Sequence, residues 1–358
     1  MVTTEQAVSA AHSARGIRFA PVESCPVCDS QERCQETDEV RDHVCGLYGK
    51  YRYVRCLNCS LIYEDPRPIV EDLPLCYRDY HTHEAAPLPE SFRGPWSPMV
   101  RWIRGGILGR KFGYTHLSPS PLAVTAACLL DVLPPIRRRA RCGWGNNLPV
   151  FRGEGRALDI GTGGGVHAAS LARLGWEVTA LEFDSVTAEA TSRRHNLNVL
   201  TTTIEEAHFP DDCFDLVSMF QVIEHLPDPV GTLRECYRVM KPGTSIMIDT
   251  PNYDCLTRRK FGRYWRGFEA PRHLMIFNAA TLSQALESAG FRVRKAQNSP
   301  GATHYFVATT LQFRYDENGG APNAGAVAWR SRCYNLLAAL GRPAGHFWGD
   351  VLHFEAVK

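Results

Sequence analysis

Two cysteine pairs, Cys25-Pro-Val-Cys28 and Cys56-Leu-Asn-Cys59, carry the plainest chemical signal near the start of the chain. Each Cys-x-x-Cys turn aims two thiolates at one point. Two such turns brought together give the tetrahedral all-thiolate shell that zinc prefers. A closed shell of four thiolates leaves no open coordination position, so a site of this kind holds a fold and does no chemistry. A redox pair is the competing use. The alternating Lys50–Cys56 and the apolar Leu61–Tyr63 read as strands flanking the second pair, which argues for a ribbon.

A second constellation begins at Arg156. Arg156-Ala157-Leu158-Asp159-Ile160 reads as a short apolar strand running into Gly161-Thr162-Gly163-Gly164-Gly165, followed by a helix from Val166 that Gly175 ends. The next strand, from Glu177, ends at Glu182. Glycines in such a turn let the backbone approach a bound cofactor at the carboxyl end of the first strand. An acid closing the second strand is placed to accept hydrogen bonds from two ribose hydroxyls. A dinucleotide site is the alternative, but its GxGxxG motif opens the helix and has no acid inside the strand. Asp159 would repel a pyrophosphate and suits an ammonium group.

The third constellation, Gln221-Val222-Ile223-Glu224-His225, follows the apolar run Phe214–Met219. An imidazole with an ordinary pKa near 6.5 can take a proton at neutral pH. Glu224 beside His225 would orient the ring or raise its basicity; capping or packing of the helix that begins near Asp228 is the plainer use. Downstream, Tyr264, Trp265 and Arg272 offer stacking and anion contact to an acceptor, with coverage of the core as the alternative. His273 supplies a further imidazole. Tyr80 and His81 are candidates for a gate or a base.

In order along the chain, these residues resemble the class I S-adenosylmethionine-dependent methyltransferases. Phe214–Met219 is similar to the fourth strand of that family, and Leu233–Met240 with Lys241-Pro242-Gly243 to the helix and turn after it. Ser245–Asn252 would be the fifth strand, Ala289-Gly290-Phe291 the entry to the sixth, and Asp350–Ala356 a seventh. The resemblance implies that Asp159, Gly161, Thr162 and Gly163 line the methionine end of S-adenosylmethionine. Glu182 and Phe183 would face the ribose, and Ile204 and Glu205 the adenine, with Gln221 also on the cofactor. The ribbon, the Pro66-Arg67-Pro68 exit and Tyr77–His83 resemble a subgroup that includes sugar C-methyltransferases and natural-product enzymes. That implies a small biosynthetic acceptor, an in-line methyl transfer and His225 as base.

The small-RNA 3′-end and ubiquinone-pathway O-methyltransferases carry Glu-x-x-Glu-His at this position and bind a divalent ion there. Here Gln221 replaces the first acid, and an amide oxygen is a poorer ligand for a hard cation. Glu224, His225 and His273 would then form a three-ligand site for a metal-assisted O-methyltransferase of RNA or of a small molecule. A cofactor-binding scaffold with a silent centre is the non-enzymatic alternative.

These groups need a frame, and composition bounds it. The chain has 358 residues, 44% hydrophobic, with 40 Lys+Arg against 38 Asp+Glu. That is the size of about two domains, and it gives no bulk electrostatic case for nucleic acid. No apolar run reaches the ~20 residues that span a bilayer. Thirteen cysteines without an export signal, most of them scattered, fit the reducing cytoplasm. The expected architecture is α/β: a loosely ordered 1–19, a zinc ribbon over 20–70, a helical cap over 71–150, and a Rossmann-like seven-stranded core over 151–358. An insertion at about 303–340 would serve as a lid or a homodimer surface.

Overall fold

Alternation builds the ribbon: in Tyr51–Cys56 the two tyrosines point inward while Arg52 and Arg55 stay half-buried. The computed structural model describes residues 16–78, 97–117, 120–130, 147–298, 303–321, 323–341 and 345–358. Tyr80, His81 and the residues before 16 lie outside that set. In chain order the strands are β1 (Phe19–Ala20), β2 (Arg33–Val40), β3 (Tyr51–Cys56), β4 (Ile62–Glu64), β5 (Arg67–Pro68), β6 (Arg156–Ile160), β7 (Glu177–Glu182), β8 (Asn198–Thr201), β9 (Phe214–Phe220), β10 (Met240–Pro251), β11 (Met275–Ile276), β12 (Arg292–Asn298) and β13 (Val351–Val357).

Seven of these form one mixed sheet in the order β12-β13-β10-β9-β6-β7-β8. Strands β6, β7 and β8 run parallel, and β12 and β13 antiparallel. Between them lie helices with readable start signals. Asp184 caps Ser185–His195 through the Thr187 N–H, and Asn278 with Thr281 forms a capping box on Ala279–Ser288. Two further helices, Thr303–Asn318 and Ala324–Gly341, stand between β12 and β13. Among the described residues no helix is long and apolar enough to cross a membrane.

The described residues divide into two compact units, and β9 and β10 each run through both. One unit holds 16–78, Met219–Tyr237 and Ile246–Lys358. Its four-stranded sheet is ordered β11-β4-β3-β2 and is antiparallel throughout. The fourth member is not local: Met275 pairs with Tyr63 and Ile276 with Ile62. The loop after β10 is therefore stitched into the ribbon's own sheet. On one face Tyr51, Tyr53, Ile62 and Ile276 pack with Tyr253, Trp265 and Phe268.

The other unit holds the described parts of 82–218 and Arg238–Ser245. Asp215, 3% exposed on β9, ties its turns together. Its Oδ2 accepts the N–H of Glu154 and of Arg156, each at 3.1 Å, while Lys241 Nζ lies 3.1 Å from Oδ1. Asp215→Ala would take the charged acceptor away from both N–H groups and from Lys241. The expected loss is about 1–3 kcal/mol, read as a lower denaturant midpoint at unchanged slope; an unchanged midpoint would contradict it.

Candidate functional site

The glycine loop lies wholly in the second unit. Gly161, Gly163 and Gly165 all have left-handed φ, at 64°, 49° and 74°. At Gly165 a Cβ would stand 2.4 Å from Thr191 Cγ2, so only glycine fits; at Gly163 it would meet nothing within 4 Å. The loop is held from behind. Glu182 Oε2 accepts the Gly163 N–H at 2.9 Å and Oε1 the Asp184 N–H at 3.2 Å. Thr191 Oγ1 donates to the Gly163 carbonyl at 2.7 Å. Burial pushes the Glu182 carboxyl above its ordinary pKa, against the pull of those N–H groups. Asp159, 2% exposed, accepts the Ser218 hydroxyl at 2.6 Å, with His167 Nε2 3.8 Å from the same oxygen.

These residues fit a cofactor on two counts. The Thr162 hydroxyl is buried with no hydrogen-bond partner, and the space beside Gly163 is open. Ile204 is 1% exposed, Glu205 is exposed and Phe183 is 50% exposed. Gln221 falls in the first unit, exposed at φ 58°, its N–H on the Asp249 carbonyl.

The first unit gathers Glu224, His225 and His273, with one donor atom of each within 4.8 Å of the others. Glu224 is fully buried; Thr250 donates to its Oε2 at 3.0 Å, and Oε1 has no partner. Burial first, and then repulsion from Glu269 and Asp249, raises this carboxyl to about 8. His225 is half-buried and its Nδ1 lies 2.8 Å from the Arg272 carbonyl and 2.9 Å from Tyr77 Oη. A carbonyl only accepts, so Nδ1 carries the proton and, in the neutral ring, Nε2 keeps the lone pair. His273 repeats the pattern, Nδ1 donating to the Gly267 carbonyl at 2.8 Å, and its Nε2 stands 3.5 Å from Glu269 Oε2. Desolvation lowers the pKa of both rings, that of His273 to about 3, so both are neutral near pH 7.

Trp265 and Arg272, read from the sequence as acceptor contacts, are both buried here. Trp265 is 1% exposed in the aromatic cluster, and its Nε1 donates to Asp350 at 3.2 Å. Arg272 is wholly buried, and its guanidinium is spent on Asp42, Glu269 and the Cys76 carbonyl. Tyr264 is half-buried, donating to Glu317 at 2.9 Å. A groove with a space of about 460 Å³ is lined by residues 20–24, Pro26 and 67–71 with Pro227 and Asp228, which follow His225 closely in the chain. Sequence reasoning missed Tyr77, Thr250 and Glu269. Tyr77 and Thr250 act on residues distant in sequence, which no local pattern marks. Glu269 instead pairs with Arg266, Arg272 and His273 three or four positions away, a spacing the sequence did offer.

The four thiols of Cys25, Cys28, Cys56 and Cys59 lie within 4.8 Å of one another. Cys25 and Cys59 Sγ are 3.5 Å apart, as are Cys28 and Cys56. A tetrahedron of Zn–S bonds near 2.3 Å sets sulfurs about 3.8 Å apart, so the donor set fits that metal. Each turn is closed by a backbone bond, Asp29 N–H to Cys25 O and Ser60 N–H to Cys56 O.

Residues 136–296 match the family described as a methyltransferase domain. A probable S-adenosylmethionine-dependent methyltransferase from Mycolicibacterium smegmatis is 35% identical over 137 residues, 38% of this chain and 51% of that protein. A ubiquinone biosynthesis O-methyltransferase from Albidiferax ferrireducens is 32% identical over 120 residues, 31% of this chain and 47% of that protein. The chain spans about half the length of the curated relatives it matches. A solved S-adenosylmethionine-dependent methyltransferase from Archaeoglobus fulgidus aligns with TM-score 0.42 and 21% identity, covering 64% of this chain and 98% of that one.

Glu182→Ala would remove the acceptor of the part-buried N–H groups of Gly163 in the loop and of Asp184 beside it. A loss of roughly 1–3 kcal/mol at a site that must stay ordered predicts about tenfold weaker S-adenosylmethionine binding by calorimetry. Unchanged affinity would remove Glu182 from the cofactor site.

Proposed function

We propose that this chain, whose residues 136–296 form a class I S-adenosylmethionine-dependent methyltransferase domain, methylates a small biosynthetic acceptor with His225 as base. S-adenosylmethionine, when bound, supplies an electrophilic methyl group on a sulfonium. The loop Gly161–Gly163, Asp159 and Glu182 would hold it, with Ile204 and Glu205 toward the adenine. The acceptor's nucleophilic atom forms the new bond to the methyl carbon as the carbon–sulfur bond breaks. The proton that atom loses goes to the lone pair on His225 Nε2. One observation carries the role of His225: its Nδ1 proton is committed to the Arg272 carbonyl, which leaves Nε2 to act. Cys25, Cys28, Cys56 and Cys59 hold a structural zinc in this reading.

A second reading has a specific observation in its favour. Glu224 Oε1 is buried without a partner, and one ligand atom from each of Glu224, His225 and His273 lies within 4.8 Å of the other two. A carboxyl and two neutral imidazoles crowded together are a setting for a cation, whose binding would displace the proton that burial leaves on Glu224. A divalent ion there would bind the acceptor oxygen, as the ubiquinone-pathway resemblance implies.

Both readings meet one assay, formation of S-adenosylhomocysteine from the cofactor and a small-molecule extract. His225→Ala should lower turnover by about 10² or more and leave cofactor affinity unchanged by calorimetry; unchanged turnover would end the base assignment. Activity that survives EDTA with the ribbon zinc retained supports the first reading. Activity lost and restored by Mg²⁺ or Mn²⁺ supports the second. Under the first reading the pH profile is fixed in sign. Burial lowers the His225 pKa, so the base is protonated and inactive only in acid. The rate should rise with pH below the ordinary imidazole value of about 6.5 and be level through neutrality; a main inflection above pH 7 would contradict it.

A further inference from the structure

Two segments remote in sequence, those of Tyr77 and Arg272, converge on the Nδ1 of His225, and Arg272 ties both to a third at Asp42. Its backbone carbonyl accepts the Nδ1–H at 2.8 Å. Its Nη1 donates to the Cys76 carbonyl at 3.3 Å, which fixes the residue before Tyr77, whose hydroxyl lies 2.9 Å from the same Nδ1. Its Nη1 and Nη2 reach Asp42 Oδ2 and Oδ1 at 3.1 and 2.7 Å, with both side chains wholly buried.

Asp42 is itself immobilised. Its Oδ1 accepts the N–H of Val44 at 2.9 Å and of Cys45 at 3.1 Å, and Oδ2 that of Leu47 at 3.1 Å. The carboxylate is thus a fixed anchor at the end of β2. Tyr53 on β3 adds a second pin, its hydroxyl on the carbonyls of Phe268 and His273 at 3.0 and 2.8 Å. A planar fork held at both oxygens of a carboxylate has one orientation. The backbone of residue 272 follows that orientation, and so does the acceptor facing Nδ1.

We infer that Asp42 is a positioning residue: by anchoring Arg272 it holds His225 in the tautomer with the proton on Nδ1 and the lone pair on Nε2. Outer partners of a working imidazole fix its tautomer and orientation in this manner. The inference deepens the reading of His225 given above, whether Nε2 takes a proton or a cation. Its test does not depend on transfer.

The tautomer is read directly by long-range ¹H–¹⁵N correlation on the full chain labelled at histidine, above the imidazole titration. Wild-type His225 is expected to show protonated Nδ1 and bare Nε2; the reverse pattern overturns the proposal without any variant. Asp42→Asn removes the charge but keeps an oxygen for the turn, and Arg272→Lys keeps the cation but loses the fork. Each should lose the single pattern and populate the Nε2–H form. In each, turnover should fall about 10- to 100-fold with zinc content and cofactor affinity retained. If either variant keeps zinc and cofactor binding and His225 stays in the wild-type tautomer, Asp42 is structural only. Should both fail to bind cofactor, the wild-type tautomer alone decides.

Discussion

A guanidinium out of reach of water must be neutralised where it stands, and Arg272 is such a group. Meeting that demand takes Asp42 from the end of β2, Glu269 from the same loop and the carbonyl of Cys76. Glu269 sits at left-handed φ 35° and is also paired to Arg266. Burial pushes its carboxyl up, but the guanidinium groups of Arg266 and Arg272 overcome that and hold it well below the ordinary range. The loop from Trp265 to Ile276 is thereby locked to the ribbon by charge as well as by the β4–β11 ladder. A ribbon that does no chemistry of its own still decides where His225 and His273 point.

The labour divides along the two units. In the second, the cofactor loop is made of short-range parts: a strand end, positive-φ glycines and an acid at the end of the neighbouring strand that accepts the N–H of Gly163. In the first, the proton-handling groups are assembled from segments that only the fold brings together. There the low-dielectric setting separates roles. Glu224 is mostly neutral at pH 7, while Glu269, near enough to repel it, stays ionised because cations face it. The two imidazoles, each tied by Nδ1 to a carbonyl, present bare Nε2 atoms instead of charges.

What could be read from the sequence follows the same division. Cys25/Cys28 and Cys56/Cys59 are local pairs on tight turns, and the glycines of 161–165 follow a strand directly, so spacing alone exposed them. The Phe214–Phe220 strand declares itself by its apolar run, whereas the Met240–Pro251 strand is legible only from Ser245 on. It starts earlier and includes Lys241-Pro242-Gly243, which the sequence suggests as a turn. Arg272 and Trp265 looked like acceptor contacts because of residue type and place in the loop. Their partners, Asp42 and Asp350, lie 230 and 85 positions away, and no periodicity announces such a pairing. Tyr77 escaped for the same reason, its contact with His225 spanning 148 positions. Buried ion pairs that join distant segments are settled by packing, and single-sequence patterns do not encode them.

The central claim, a methyl transfer to a small acceptor, is tested most directly by following tritium from the methyl group of S-adenosylmethionine into an extract of the source organism. The products are separated by size and by sensitivity to ribonuclease. The account predicts label in a low-mass, ribonuclease-resistant fraction. Label confined to a high-mass, ribonuclease-sensitive fraction, or none in any fraction, would contradict it.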